Sequence, residues 1–238
     1  MPYALCPMPI NTILVPQGSE YKAVCRGLSR VTGTTPTVLP IPVGMEPVTK
    51  YLQKWHGENK HYLNQPEARV LIMGLCGSLQ SRYAVGEIVL YQGCIYQGNF
   101  QECNRTFTAQ IQSQISEKVS LVKALTSDRI ISSTAEKRHL GETLGTDVVD
   151  MEGFAALEFF QTTGIAVAML RVVSDDCNHD IPDLSTAINS EGMLQPLPLA
   201  IGLLRQPIAA TRLIRGSLKG LKVLQQVTNL LFSAYTFE

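Results

Sequence analysis

Arg69-Val70-Leu71-Ile72-Met73 runs straight into Gly74-Leu75-Cys76-Gly77-Ser78. An apolar run this short, rich in branched side chains and stopped by a glycine, reads as a buried strand followed by a turn. Working outward, three more runs read the same way: Thr12 to Val15, ending at Pro16; Glu87 to Tyr91; and Ile165 to Val173. Arg129-Ile130-Ile131 and Val38-Leu39 are two lesser candidates. Helical patterns fall between them. Glu20 to Leu28 follows the Gly18-Ser19 turn, Pro47 to Trp55 opens on a proline suited to a first helical turn, and Met151 to Thr162 is rich in Ala, Leu and Phe. Strands alternating with helices predict an α/β fold with a largely parallel sheet. Such sheets bind ligands at the carboxyl ends of their strands, so chemistry is expected just after each apolar run.

Composition narrows the function classes. The chain has 238 residues, with 20 basic and 20 acidic side chains and a formal net charge of zero. That balance argues against a nucleic-acid binder held by phosphate contacts. Six cysteines are scattered without a C-x-x-C pair, as in a reduced cytoplasmic protein. The first fifteen residues lack a basic n-region and carry three prolines, which does not fit a signal peptide. No apolar run reaches the 18 residues of a membrane span. His56, His61, His139 and His179 are too dispersed to be metal ligands, so no metal is expected.

Three segments carry candidate chemistry. The glycines of 74–78 let backbone approach a ligand closely, although no dinucleotide fingerprint or Walker loop is present. In Val149-Asp150-Met151-Glu152-Gly153 two carboxylates flank a methionine at a helix start. Spacing alone favours helix capping there, while a carboxylate could equally chelate vicinal ribose hydroxyls. Arg171-Val172-Val173-Ser174-Asp175-Asp176 carries a strand into a polar cluster, where an Asp is either a turn cap or a general acid.

Residues 196–238 differ from the rest. They hold Arg205, Arg212, Arg215, Lys219 and Lys222 against Glu238 alone, a net +4 that leaves −4 over residues 1–195. Positions 212, 215, 219 and 222 fall on one helical face, with Leu213, Ile214, Leu221 and Leu224 on the other side. The first expectation is a helix docked on the core with its basic face in solvent. The alternative is a basic amphipathic extension touching a membrane surface or admitting a lipid-like substrate.

In order, the three segments resemble the purine-nucleoside and uridine phosphorylase superfamily, with Gly86-Glu87 at its "GD" turn, and most nearly its 5′-methylthioadenosine/S-adenosylhomocysteine nucleosidase branch. The resemblance implies a single α/β domain over 1–238 with a twisted, mixed sheet flanked by helices, and cleavage of the N-glycosidic bond of a purine nucleoside, a 5′-substituted adenosine, without a cofactor. It gives Asp175 the role of acid toward purine N7, and Glu152 that of holding the 2′- and 3′-hydroxyls with Met151 against the sugar. Glu20 and Arg171 would direct the attacking water. Gly77, Ser78 and Ser174 would line the site, and Ala135 and Glu136 would meet the adenine edge from the base loop 132–136. Phosphorylases of the superfamily hold phosphate with an Arg and a Ser where this chain has Ile72 and Leu75, so water is the expected nucleophile and phosphate a co-substrate only in a phosphorolytic variant. Thr134 replaces the customary Asp of the base loop, and with Leu75 it keeps a non-catalytic nucleoside-binding protein as a rival. The tail after Asp176 is similar to that of hopanoid-associated phosphorylases, implying a lipid nucleoside as an alternative substrate. A homo-oligomer is implied by the resemblance alone.

Overall fold

The computed structural model describes residues 10–33, 35–58, 68–115 and 119–233. The N-terminal prolines, Cys6, His61 and Glu238 lie outside the described residues. Eight strands are present among them: β1 Thr12–Pro16, β2 Thr37–Ile41, β3 Arg69–Ser78, β4 Ile88–Tyr96, β5 Asn99–Glu102, β6 Ser120–Thr126, β7 Val148–Asp150 and β8 Ala166–Asp175. The helices are α1 Ser19–Leu28, α2 Met45–Glu58, α3 Arg105–Gln114, α4 Thr134–Leu144, α5 Gly153–Gln161, α6 Pro196–Arg205 and α7 Pro207–Ser233. The expected single α/β domain with a mixed sheet is what these elements build.

Alternate residues of one strand enter different cores. Leu14, Ile72 and Met169 pack with Val48, Leu52, Phe154 and Phe160 under α2 and α5. Ile13, Leu71, Met73 and Leu170 pack with Phe107, Leu224 and Leu231 under α3 and α7. A strand buried on both faces has no polar alternation, which is why these segments are legible as continuous apolar runs. Tyr51 and Trp55 pack half-buried on the first core, as their spacing suggests.

The sheet closes on itself. β3 pairs β8 along its length and β7 at its last residues; β8 pairs β4, β4 pairs β6, and β6 pairs β7. β3 pairs three strands, β1, β7 and β8, and β4 pairs three, β5, β6 and β8; each carries a register break, at Cys76/Gly77 in β3 and Tyr91/Gly93 in β4. Gly74 to Ser78 therefore continue β3 rather than forming a turn after it. Arg129 to Ile131 are irregular instead of a strand, because the ladder position next to β4 is taken by β6.

The carboxy-terminal region is a wall of the domain. α7 crosses α1 and β8 by way of glycines, since a Cβ on Gly27 would lie 2.7 Å from Thr228 Cβ and one on Gly216 would collide with the Ser174 carbonyl. Leu224, Val227 and Leu231 complete the seam. The docked helix expected from the basic spacing is what the structure contains, but Ile214 and Leu218 sit on its exposed side.

Candidate active site

Residues at the carboxyl ends of β1, β3, β7 and β8 converge on one cavity of about 330 Å³. Its polar lining includes Glu20, Asp150, Glu152, Ser174 and Asp175, with Arg129 and Ser217; its apolar lining includes Ile131, Ile181, Leu184 and Leu213. The volume lies within the usual small-molecule range.

The polar wall is organised around Arg171, which is fully buried on β8. Its Nη2 donates to Asp150 Oδ2 at 3.2 Å and to Glu152 Oε2 at 3.3 Å, and Nη1 reaches the Met73 carbonyl at 3.5 Å. Burial works against the guanidinium charge, and Asp150 and Glu152 more than restore it, so Arg171 is held above its ordinary range. Gly74 makes room for this, because a Cβ there would strike Arg171 Nη1 and lie 2.7 Å from Glu20 Oε1.

The two carboxylates flanking Met151 divide the readings that spacing left open. Asp150 is the structural one: it accepts from the Thr126 hydroxyl at 2.9 Å and the Gly153 N–H at 3.2 Å, capping α5. Glu152 makes no side-chain cap. Burial raises its carboxyl despite the opposing charge of Arg171.

Glu20 stands in the first turn of α1 and accepts the Leu75 N–H at 2.6 Å. Burial pushes its carboxyl up to about 7, against the pull of Arg171 and of that N–H. Asp175 ends β8, its Oδ1 accepting from the Ser174 hydroxyl at 2.8 Å and its Oδ2 from Lys137 Nζ of α4. Gly77 leaves space for it, since a Cβ would lie 2.9 Å from Asp175 Oδ2.

Of the residues singled out in the sequence, Glu20, Gly77, Met151, Glu152, Ser174 and Asp175 line the cavity. Arg171 lies behind the wall, not in it. The Ser78 hydroxyl is turned to the Gln80 carbonyl at 2.6 Å. Ala135 and Glu136 are not in a loop but in the first turn of α4, capped by Ser133, and the lining is supplied just upstream by Arg129, Ile130 and Ile131. Glu136 pairs with Arg129 and so bears on the cavity only through it. The Ser133-x-x-Glu136 spacing is a capping-box pattern, and Gly145 closes the helix in the left-handed conformation, so the sequence did carry the signal for α4. Lys137 has no sequence signal of its own. Among the described residues no group of three or more His, Cys, Asp or Glu is placed to hold a metal, and no helix is long and apolar enough to cross a membrane.

Fold and site together define an α/β protein with a carboxyl-lined pocket at the carboxyl ends of its strands. Sequence supplies the family: residues 67–194, more than half of the chain, match the Phosphorylase superfamily, and the chain belongs to it. No curated protein matches it in sequence. Among solved structures it is similar to the 5′-methylthioadenosine/S-adenosylhomocysteine nucleosidase from Helicobacter pylori (15% identity, 92% of this chain and 97% of that one, TM-score 0.64). It is also similar to the futalosine hydrolase of Helicobacter pylori (14% identity, 92% and 97%, TM-score 0.63). A third is the nucleosidase from S. pneumoniae with a transition-state inhibitor (15% identity, 94% and 100%, TM-score 0.63). At these identities the likeness is one of fold.

Proposed function

We propose that the protein cleaves the N-glycosidic bond of a purine nucleoside, a 5′-substituted adenosine, with water as nucleophile. The observation that carries this reading is the convergence of Glu20, Glu152 and Asp175, from three separate elements, on one cavity. Departure of the base leaves an oxocarbenium-like ribosyl group, which nearby carboxylates favour. Asp175 supplies a proton to purine N7 as the C1′–N9 bond breaks. Glu152 holds the two ribose hydroxyls, with Met151 against the sugar. Glu20, poised near neutrality, takes a proton from the water whose oxygen bonds to C1′. Arg171 touches none of the reacting atoms in this scheme; it fixes Glu152 and Asp150 from behind.

The same wall favours water over phosphate. Ile72 is buried in the core, Leu75 offers only an aliphatic side chain, and the Leu75 N–H is already taken by Glu20. A phosphate dianion there would face the carboxyls of Glu20, Glu152 and Asp175, and Arg129, the cation among the lining residues, is paired with Glu136. No cofactor enters the scheme. The apolar wall suits an uncharged 5′ substituent, and the unpaired Cys25, Cys76, Cys94, Cys103 and Cys177 fit a reducing, cytoplasmic setting.

The test is release of free adenine from 5′-methylthioadenosine and from adenosine bearing a long apolar 5′ chain, each with and without phosphate. Release that is indifferent to phosphate is expected. Release that rises with phosphate concentration would make the protein a phosphorylase, and adenine binding without release would make it a binding protein.

One further observation favours contact with an anionic membrane surface. Leu197, Leu204 and Ile208 are 77%, 79% and 71% exposed on α6 and the start of α7. Arg205, Arg212, Arg215 and Lys219 lie on the same two helices, which carry no acidic residue, while Asp176 and Asp180 share a neighbouring pocket with Arg212, Arg215 and Lys219. Two copies meeting through this face would bring like charges together, whereas an anionic lipid surface complements it. Co-sedimentation with vesicles containing phosphatidylserine, but not with pure phosphatidylcholine, is expected, and Leu204→Asp with Ile208→Asp should abolish it. Equal recovery with both vesicle types, or with neither, would remove the membrane reading; a dimer lost in the double variant would assign the face to a second copy.

A further inference from the structure

Lys137 is buried completely, the one lysine so placed among the described residues. It sits one turn into α4, whose start is held by the Ser133 cap and by Asp180, which accepts the Thr134 N–H at 2.7 Å. Its Nζ donates to Asp175 Oδ2 and, at 3.0 Å, to the Asp176 carbonyl. It does not line the cavity; Asp175 stands between it and any ligand.

For stability alone this is an expensive arrangement, because a buried ion pair is matched or bettered by apolar side chains of similar size. Its geometry has a chemical consequence. Both oxygens of Asp175 are met by donors, Oδ1 by the Ser174 hydroxyl and Oδ2 by Lys137. Each oxygen keeps a further lone pair, on which a proton passed from a donor can be presented to a ligand. Of its two donors, the ammonium is the one that can part with a proton; a serine hydroxyl cannot at neutral pH.

We propose that Lys137 is a positioning residue that aims Asp175 at the leaving base and refills it with a proton, an inference that rests on the nucleoside-cleavage reading above. As the C1′–N9 bond breaks, the Asp175 carboxyl passes a proton to the purine ring nitrogen. Lys137 Nζ supplies that proton to the carboxylate and is left as a neutral amine. The proton released by the attacking water resides on Glu20. After the products leave, Glu20 returns its proton to solvent and Lys137 takes one up, so the cycle closes without any other reactant.

The experiment compares Lys137→Met and Lys137→Arg with the unaltered protein on two substrates: 5′-methylthioadenosine, whose adenine needs a proton to leave, and a 4-nitrophenyl riboside, whose nitrophenolate does not. Lys137→Met is expected to lose about 10²-fold in kcat on the nucleoside, to change little in KM, and to stay within a few-fold on the nitrophenyl riboside. Lys137→Arg keeps a cation beside Asp175 but cannot release a proton, so it should bind adenine normally and remain slow on the nucleoside. Either variant, if folded, carries the test. Equal losses on the two substrates, or restoration of nucleoside turnover by Arg, would overturn the role. If the unaltered protein hydrolyses the nitrophenyl riboside but not the nucleoside, base protonation is absent and the role falls. If it releases nothing from either, the nucleoside-cleavage reading itself has failed.

Discussion

Asp175→Asn is expected to slow base release from a purine nucleoside by about 10²–10⁴-fold, the usual contribution of a general acid. The substitution is close to isosteric: the single amide oxygen can accept from Lys137, while the amide NH2 donates to the Ser174 hydroxyl, which can accept. Substrate affinity should therefore change far less than turnover, because Glu152 and the apolar wall are untouched. The variant has a second cost. Lys137 is fully buried, and removing the charge it faces leaves an uncompensated ammonium, a change worth about 3–5 kcal/mol where nothing offsets it. The surviving amide oxygen and the Asp176 carbonyl offset part of that. A thermal melt should show a lower midpoint but a single cooperative transition, and activity must be expressed per folded molecule. Turnover within tenfold of the unaltered protein would remove Asp175 from the chemistry.

The parts of this fold that were legible are those in which one physical demand dominates. Strands β1, β3 and β8 are buried on both faces and read as apolar runs; α1 and α5 have a turn or an apolar composition to mark them. What escaped was shaped by partners distant in sequence. β6 mixes Lys123 with Val122 and Ala124, and its Lys123 N–H is bound by Asp147, so its strand character depends on β4 and β7 rather than on its own pattern. β7 is three residues long and is a strand only because the ring closes there. Asn104, which reads formally as part of a glycosylation triplet, is the N-cap of α3, its side chain accepting the Phe107 N–H at 2.9 Å. For the site, Glu20, Glu152 and Asp175 line the cavity, each a residue named by the resemblance. The resemblance put Arg171 at the water and adenine at 132–136, whereas the fold keeps Arg171 behind the carboxylates and turns Ala135 and Glu136 into a helix. Lys137 is a lysine between charged neighbours in a helix, and only the tertiary fold distinguishes it from a solvated one.

Glu20→Gln should produce the other large effect, about 10²-fold or more in kcat/KM, together with two pH signatures that a purely steric role would not give. The first is kinetic. A general base must be ionised, so kcat/KM of the unaltered protein should fall as pH drops below about 7, where burial has brought this carboxyl. Glutamine can still accept the Leu75 N–H but has no proton to lose, so that limb should vanish in the variant. A limb that persists would belong to Glu152, which burial also raises, and would displace Glu20 as the base. The second signature is in stability. Glu20 has its ordinary value of 4.5 in the unfolded chain and about 7 in the folded one, so between those values the folded state holds more proton. Stability contributed by this group is therefore fully present below pH 4.5 and is lost as pH rises through 7. The loss approaches roughly 3 kcal/mol at the upper end. Removing the charge removes the penalty: Glu20→Gln should melt at higher temperature than the unaltered protein at pH 8, and the two should converge near pH 5. A difference of the same size at both pH values would mean that the Glu20 carboxyl is not held protonated by burial, and the kinetic limb would need another owner.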